Sequence, residues 1–122
     1  MVRSRLVVAM AGVASWLSPT PAGAGAPEVV LQGVRFAPRE ITIGAGETVT
    51  WLHRDSALNH HVMADDGSFN SYPLCGVFLS VCMKGGDTYR HRFPQPGVYG
   101  YHCRLHGSPG RGMAGTVTVT GA

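Results

Sequence analysis

Short β-type segments separated by turn residues are the feature that most constrains the fold of this chain. Seven stretches are rich in β-branched and aromatic residues and partly alternate between apolar and polar positions. They span residues 28–36, 40–43, 47–53, 60–64, 87–93, 97–103 and 115–120. The turn sequences GAG, DDGS, KGGD and PQPG lie between them, and no stretch has the periodicity of an amphipathic helix. The pattern predicts an all-β, antiparallel sandwich, with a short helix or a loop in the irregular segment 68–83.

The amino terminus has the pattern of a secretory signal. Arg3 and Arg5 precede the apolar run LVVAMAGVASWL, and the small residues of SPTPAGAGA follow it. We predict cleavage after Ala24, which leaves one domain over residues 25–122 in the periplasm or outside the cell. The alternative is an uncleaved membrane anchor, although the apolar run is too short to span a bilayer. After cleavage we expect no stable membrane insertion.

The charge of the predicted mature domain is nearly balanced. Two of the ten basic side chains of the chain lie in the signal, so eight remain against seven acidic ones. A net charge of +1 gives no argument for binding to nucleic acid or to an anionic membrane. We expect a monomer with no nucleic-acid partner.

Three cysteines cannot all pair within one chain. Export implies an oxidising compartment in which cysteines tend to form disulfides. Cys75 and Cys82 are seven positions apart, and a local disulfide between them is the favoured pairing, which leaves Cys103 as a free thiol. The alternative, Cys103 paired with either of the others, would leave His106 and Met113 without a role.

The sequence YHCRLHGSPGRGMAG, residues 101–115, carries four side chains of types that bind metals: one thiol, two imidazoles and one thioether. We expect Cys103 to end a strand, and His106 and Met113 to lie in the loop that leads to the last strand. His102 alternates with Tyr101 and Cys103, so it points to the other face. A thiolate with two imidazoles and a weak thioether is the donor set that suits copper cycling between its two oxidation states.

The second imidazole has to come from another part of the chain. The sequence NHHVMADDG offers His60 or His61 at the start of a predicted strand. His60 would share a face with Val62, the safer core residue, so period-2 alternation favours His60 as the ligand. His61 is the alternative.

From residue 28 to residue 120 the sequence resembles the cupredoxins, the small blue copper proteins that include plastocyanin and azurin. The resemblance rests on VRFAPREITIGAGETVTWLHRD, on HHVMADDGSFNS and most specifically on FPQPGVYGYHCRLHGSPGRGMAGTVTV. It implies a Greek-key sandwich of seven to eight strands with one type 1 copper ion. The implied ligands are His60, Cys103, His106 and, as a weak axial ligand, Met113. It also implies that His106 reaches the surface through an apolar patch near Gly107 and Pro109.

The resemblance implies an exported electron carrier that cycles between Cu(I) and Cu(II) and serves redox partner proteins, and not an enzyme. This chain departs from the better-known members in two places: six residues separate His106 from Met113, and His61 replaces an asparagine that braces the ligand loop. A copper-binding or copper-delivery protein is the alternative, because Met63, Met83 and His61 are additional donors. A copper oxidase or nitrite reductase is disfavoured because one domain lacks a second metal site. We interpret His53, His91 and His102 as surface or hydrogen-bonded residues.

Overall fold

The computed structural model describes residues 26–75 and 82–121, which form eight strands in two sheets. In chain order the strands are β1 (Glu28–Leu31), β2 (Phe36–Ala37), β3 (Glu40–Gly44), β4 (Thr48–His53), β5 (Met63–Ala64), β6 (Thr88–Arg92), β7 (Gly97–Ser108) and β8 (Arg111–Thr120). One sheet has the order β2-β1-β4-β6 and the other β3-β8-β7-β5. The predicted all-β sandwich is confirmed. No helix in the described part of the chain is long and apolar enough to cross a membrane.

The prediction that all strands pair antiparallel is wrong in two places. β1 pairs with β4 in parallel, and β3 pairs with β8 in parallel. The chain leaves the first sheet after β2, forms β3 in the second sheet and returns as β4 beside β1. Such a return between sheets brings β1 and β4 together pointing the same way, which a tight hairpin cannot do.

Two predicted segments are shorter in the structure. Residues 28–36 divide into β1 and β2 at a turn in which the Gln32 N–H donates to the Arg35 carbonyl, and Gly33 there has a positive φ of 65°. Residues 60–64 form a strand only at Met63 and Ala64. No helix occurs in the described part of segment 68–83, and residues 76–81 lie outside the described residues, as does the predicted signal.

The core lies between the two sheets and is rich in aromatic rings. Along β4 the buried residues alternate with partly exposed ones, so Val49, Trp51 and His53 face inward. The Trp51 ring is fully buried and contacts Tyr101 across the sandwich, with centroids 5.4 Å apart. Burial of each large side chain of this kind stabilises the fold by about 1.5–3 kcal/mol, so this layer fixes how the sheets pack.

β7 and β8 form the long hairpin that carries most of the predicted site. Cys103 and His106 both lie within β7, and Met113 lies within β8, so the prediction of a loop between Cys103 and the last strand is wrong. The turn consists only of Pro109 and Gly110. The glycines that predicted a loop instead allow the hairpin to continue, because Gly110 and Gly112 adopt positive φ values of 72° and 64°.

Candidate metal centre

Three of the four predicted ligands come together in one place. The donor atoms of His60, Cys103 and His106 all lie within 4.8 Å of one another. Cys103 Sγ is 3.5 Å from His106 Nδ1 and 3.9 Å from His60 Nδ1. Two ligands at about 2.0–2.3 Å from one tetrahedral ion are about 3.5 Å apart, so these separations fit a single metal ion.

A bulge in β7 allows two ligands from one strand to face the same point. In a regular strand, residues three apart such as Cys103 and His106 would point to opposite faces. The pairing register with β8 shifts between His102 and Gly107, which breaks that alternation. Beyond the shift, Gly107 pairs with Gly112, and a Cβ atom on Gly112 would lie 2.7 Å from the His106 carbonyl oxygen. The glycines therefore let the two strands close tightly next to His106.

His60 reaches the site from outside the strands. Its backbone exchanges two hydrogen bonds with Met83, of 3.0 and 2.9 Å, as an isolated bridge. His60, His61 and Val62 are all fully buried, so the strand alternation that favoured His60 does not apply here. The structure nevertheless places His60, and not His61, against Cys103. His61 Nε2 instead lies 2.5 Å from the Asn70 side-chain oxygen.

Asp55 fixes the orientation of His60, and sequence reasoning missed it. One Asp55 carboxylate oxygen accepts a hydrogen bond from His60 Nε2 at 2.5 Å, and the other accepts one from the Gly33 N–H at 3.0 Å. His53 holds the same turn, because its Nδ1 accepts from the Asp55 N–H while its Nε2 donates to the Leu58 carbonyl. With the proton of His60 on Nε2, the Nδ1 lone pair faces Cys103, as a metal ligand requires.

The charge states of this pair suit metal binding. Burial lowers the pKa of His60 by more than the hydrogen bond to Asp55 raises it. Burial raises the pKa of Asp55, but the hydrogen bonds from Gly33 and His60 outweigh that effect and the net pKa is lowered. At neutral pH the pair is therefore a neutral imidazole bonded to a carboxylate, and the imidazole can act as a ligand.

Cys103 is the free cysteine of the described residues and is fully buried. Burial raises the pKa of its thiol, while backbone hydrogen bonds from Leu105, His61 and His106 oppose that rise. Without a metal the sulfur therefore holds its proton at neutral pH. A metal ion displaces that proton, and the three amide groups are already placed to stabilise the thiolate.

Other sulfur atoms near the site belong to a disulfide and to Met113. Cys75 and Cys82 form a disulfide with a Cα–Cα distance of 4.7 Å, which confirms the predicted pairing. Met113 lies one residue beyond the Gly107–Gly112 pair and is fully buried in the same core cluster as Cys103. Its role as the axial ligand stays a prediction.

The other histidines have structural contacts. His53 is fully buried and His102 nearly so, and both are hydrogen-bonded, which is one of the two alternatives predicted for them. His102 Nδ1 lies 2.7 Å from an Asp65 carboxylate oxygen and does not join the metal group, as its alternation in the strand predicted. His91 stacks on Phe69 with centroids 4.7 Å apart.

Comparison with known proteins agrees with this geometry. The family described as "Copper binding proteins, plastocyanin/azurin family" matches residues 27–120. Plastocyanin of Scenedesmus fuscus is 35% identical over 86 residues, which is 69% of this chain and 85% of that protein. Amicyanin-alpha of Methylorubrum extorquens is 34% identical over 85 residues, which is 70% of this chain and 67% of that protein.

The chain belongs to the plastocyanin/azurin family of copper-binding proteins.

Solved cupredoxin structures have the same fold. A purple cupredoxin from Nitrosopumilus maritimus superposes with a TM-score of 0.60 at 29% identity, covering 77% of this chain and 99% of that one. An oxidised amicyanin variant superposes with a TM-score of 0.62 at 27% identity, covering 84% and 92%. Copper is the cofactor of this cupredoxin, and the thiol and imidazole donors described above suit it. Cupredoxins of the plastocyanin and amicyanin type are electron carriers and not enzymes.

Proposed function

We propose that this cupredoxin is an exported carrier of single electrons, with His60, Cys103 and His106 as close copper ligands and Met113 as a weak axial one. The observation that carries the proposal is the convergence of three donor atoms within 4.8 Å in a buried place, among them the free cysteine. Copper supplies the one-electron chemistry when bound. A soft thiolate with two imidazoles lies between the preferences of Cu(I) and Cu(II).

The protein's part in electron transfer is to keep these ligands still. Cys103 and His106 are fixed by the β7–β8 hairpin, and His60 is fixed by its hydrogen bonds to Asp55 and to the Met83 backbone. When little has to move between the two charge states, electron transfer meets a small reorganisation barrier. His106 is only half-buried, which makes it the ligand nearest to a docked partner.

Burial of the methionines argues against copper delivery. A delivery site would present accessible sulfur atoms for exchange with a partner, whereas Met83 is fully buried and Met63 is partly buried. The buried Cys103 also favours a resident ion over an exchanging one.

Export is supported by two features of the chain. The first is the signal-like pattern of residues 1–24, with residues 25–122 as the mature domain. The second is the Cys75–Cys82 disulfide, since disulfides persist in oxidising compartments. We propose a periplasmic or extracellular monomer.

Addition of Cu(II) to the purified mature protein tests the carrier function. We expect an intense blue colour that a reductant bleaches, that an oxidant restores, and that Cys103→Ser abolishes. A pale, easily removed Cu(II) complex that Cys103→Ser leaves unchanged would instead support delivery and contradict the carrier.

A further inference from the structure

The hairpin gives the domain two distinguishable ends. β7 runs toward the turn at Pro109 and Gly110, and β8 runs away from it. The ligands His60, Cys103 and His106 lie toward this turn, which we call the metal end. β4 also runs toward the metal end, because its last residue, His53, packs on His60 with ring centroids 4.6 Å apart. The opposite end carries the β3–β4 turn and the start of β7.

Exposed basic side chains collect at the metal end. Arg104 follows Cys103 directly, and Arg111 lies at the hairpin turn. Arg35 lines a groove of about 370 Å³ together with Gly112, the neighbour of His106 across the hairpin. Arg54 and Lys84 follow His53 and Met83, the two residues that flank His60. The exposed basic residues of the metal end are Arg35, Arg54, Lys84, Arg104 and Arg111.

Only two carboxylates lie at this end among the described residues, and both are engaged. Asp55 accepts from Gly33 and His60, and the Asp87 carboxylate accepts from the Lys84 backbone N–H at 2.9 Å. The salt bridges of the described residues join Asp55 to His60 and Asp65 to His102. The arginines of the metal end are therefore not neutralised by ion pairs within the described part of the chain.

The other half of the domain has the opposite charge. Pairing registers and turns place five carboxylates there: Glu28, Glu40, Glu47, Asp65 and Asp66. Its basic residues are Arg39, Arg90 and Arg92. Arg39 precedes Glu40 and its carbonyl accepts from the Thr116 N–H, while Arg90 and Arg92 pair with Thr50 and Thr48 on β4. All charged side chains of residues 25–122 lie within the described ranges. The nearly neutral domain is thus a dipole, about +3 at the metal end and −2 at the other.

The metal end also exposes apolar surface. Val34 and Leu58 are 57% and 38% exposed. Val34 is next to Gly33, which bonds Asp55, while the Leu58 carbonyl bonds His53, so both lie close to the His60 side of the site. Exposed apolar side chains among charged ones are the composition of a transient protein interface.

We propose that the metal end is the docking surface for an acidic redox protein, steered by the arginines around His106. This inference rests on the proposed carrier function and names the charge of its partner. A positive face around the ligand orients an acidic partner before contact and raises the association rate by about 10–1000-fold at low salt. A basic partner would be turned toward the other end, away from His106.

Two forms of one haem protein provide matched probes. Native cytochrome c is basic, whereas its succinylated form carries carboxylates in place of the lysine amines. The copper-loaded, reduced protein donates one electron to the ferric haem, and the rate is measured by stopped flow from about 10 mM to about 1 M salt. The test variant is Arg35→Glu with Arg111→Glu. The control is Arg90→Glu with Arg92→Glu, which changes the net charge equally at the other end.

We expect the rate with the succinylated form to fall as salt rises, and the rate with native cytochrome c to rise. At about 10 mM salt the test variant should react with the succinylated form about tenfold more slowly than the unsubstituted protein, and the control less than about threefold more slowly. At about 1 M salt the three proteins should agree within about twofold. Equal effects of the two variants would overturn the docking surface while electron transfer itself persists. Absence of electron transfer with either probe at any salt concentration, both from the reduced protein to ferric haem and from ferrous haem to the oxidised protein, would overturn the carrier function and the docking surface together.

Discussion

Replacement of Asp55 by asparagine should weaken copper binding without removing any ligand. The amide has one acceptor oxygen where the carboxylate has two, so either His60 Nε2 or the Gly33 N–H faces its NH2 group, and the negative charge is lost. A hydrogen bond to a charged group contributes about 1.5–3 kcal/mol. Bound copper makes the imidazole a stronger donor, so the loaded protein loses more than the empty one. We expect copper affinity to fall about 10–100-fold.

The reduction potential should rise in the same variant. Cu(II) draws more charge from His60 than Cu(I) does, so loss of the carboxylate destabilises the oxidised state more. Each tenfold excess loss of Cu(II) affinity raises the potential by about 60 mV. Chelator competition and redox titration measure the two effects. Asp66→Asn is the matched control, since Asp66 is exposed and accepts from the Ser68 N–H. The positioning role of Asp55 would be refuted if Asp55→Asn matched Asp66→Asn within about threefold in copper affinity and within about 20 mV in reduction potential.

Three further outcomes are expected. Met113→Leu should keep the blue colour and raise the reduction potential, because the axial sulfur tunes that potential. Met83→Leu, at another fully buried methionine, should leave the potential unchanged. Equal potentials in the two variants would make Met113 a core residue only. Gly112→Ala should lower the free energy of unfolding by more than the about 1–2 kcal/mol that a left-handed alanine costs, and should alter the copper spectrum. Gly110→Ala, with open space around its Cβ, should cost only that backbone strain. Chemical denaturation measures both losses, and equal losses would contradict the close approach to His106. The metal-free protein should lose stability as the pH falls from about 7.5 to 5.5. Burial lowers the pKa values of His60 and His61 in the folded protein. As the pH falls through about 6.5, these histidines take up protons more readily in the unfolded chain, which favours unfolding. The slope is at most about 1.4 kcal/mol per pH unit for each such histidine, and urea curves that coincide across this range would contradict it.

The strands and the ligand types could be predicted from local sequence, whereas their exact placement could not. Alternation and turn residues locate strands because they reflect local backbone preferences and burial. The bulge after His102 is set by pairing with β8, so the sequence around Cys103 predicted a loop where the chain continues as a strand. The parallel pairing of β1 with β4 likewise depends on contacts distant in sequence.

The supporting residues of the site were beyond sequence reasoning for a similar reason. Asp55 lies in a polar turn and resembles a solvated residue in sequence, and only the fold brings it to His60 and Gly33. The charge separation is also invisible in composition, because eight basic and seven acidic side chains cancel when counted along the chain. The fold sorts them to different ends.

X-ray absorption of the copper-loaded protein in both oxidation states tests the central claim most directly. The account predicts one close sulfur and two close nitrogen neighbours in the Cu(I) form and the same set in the Cu(II) form, with the sulfur lost in Cys103→Ser. Its basis is that the hairpin and Asp55 hold Cys103, His106 and His60 in place. A copper ion without a close sulfur neighbour, or one that changes its ligands on oxidation, would contradict a rigid carrier site.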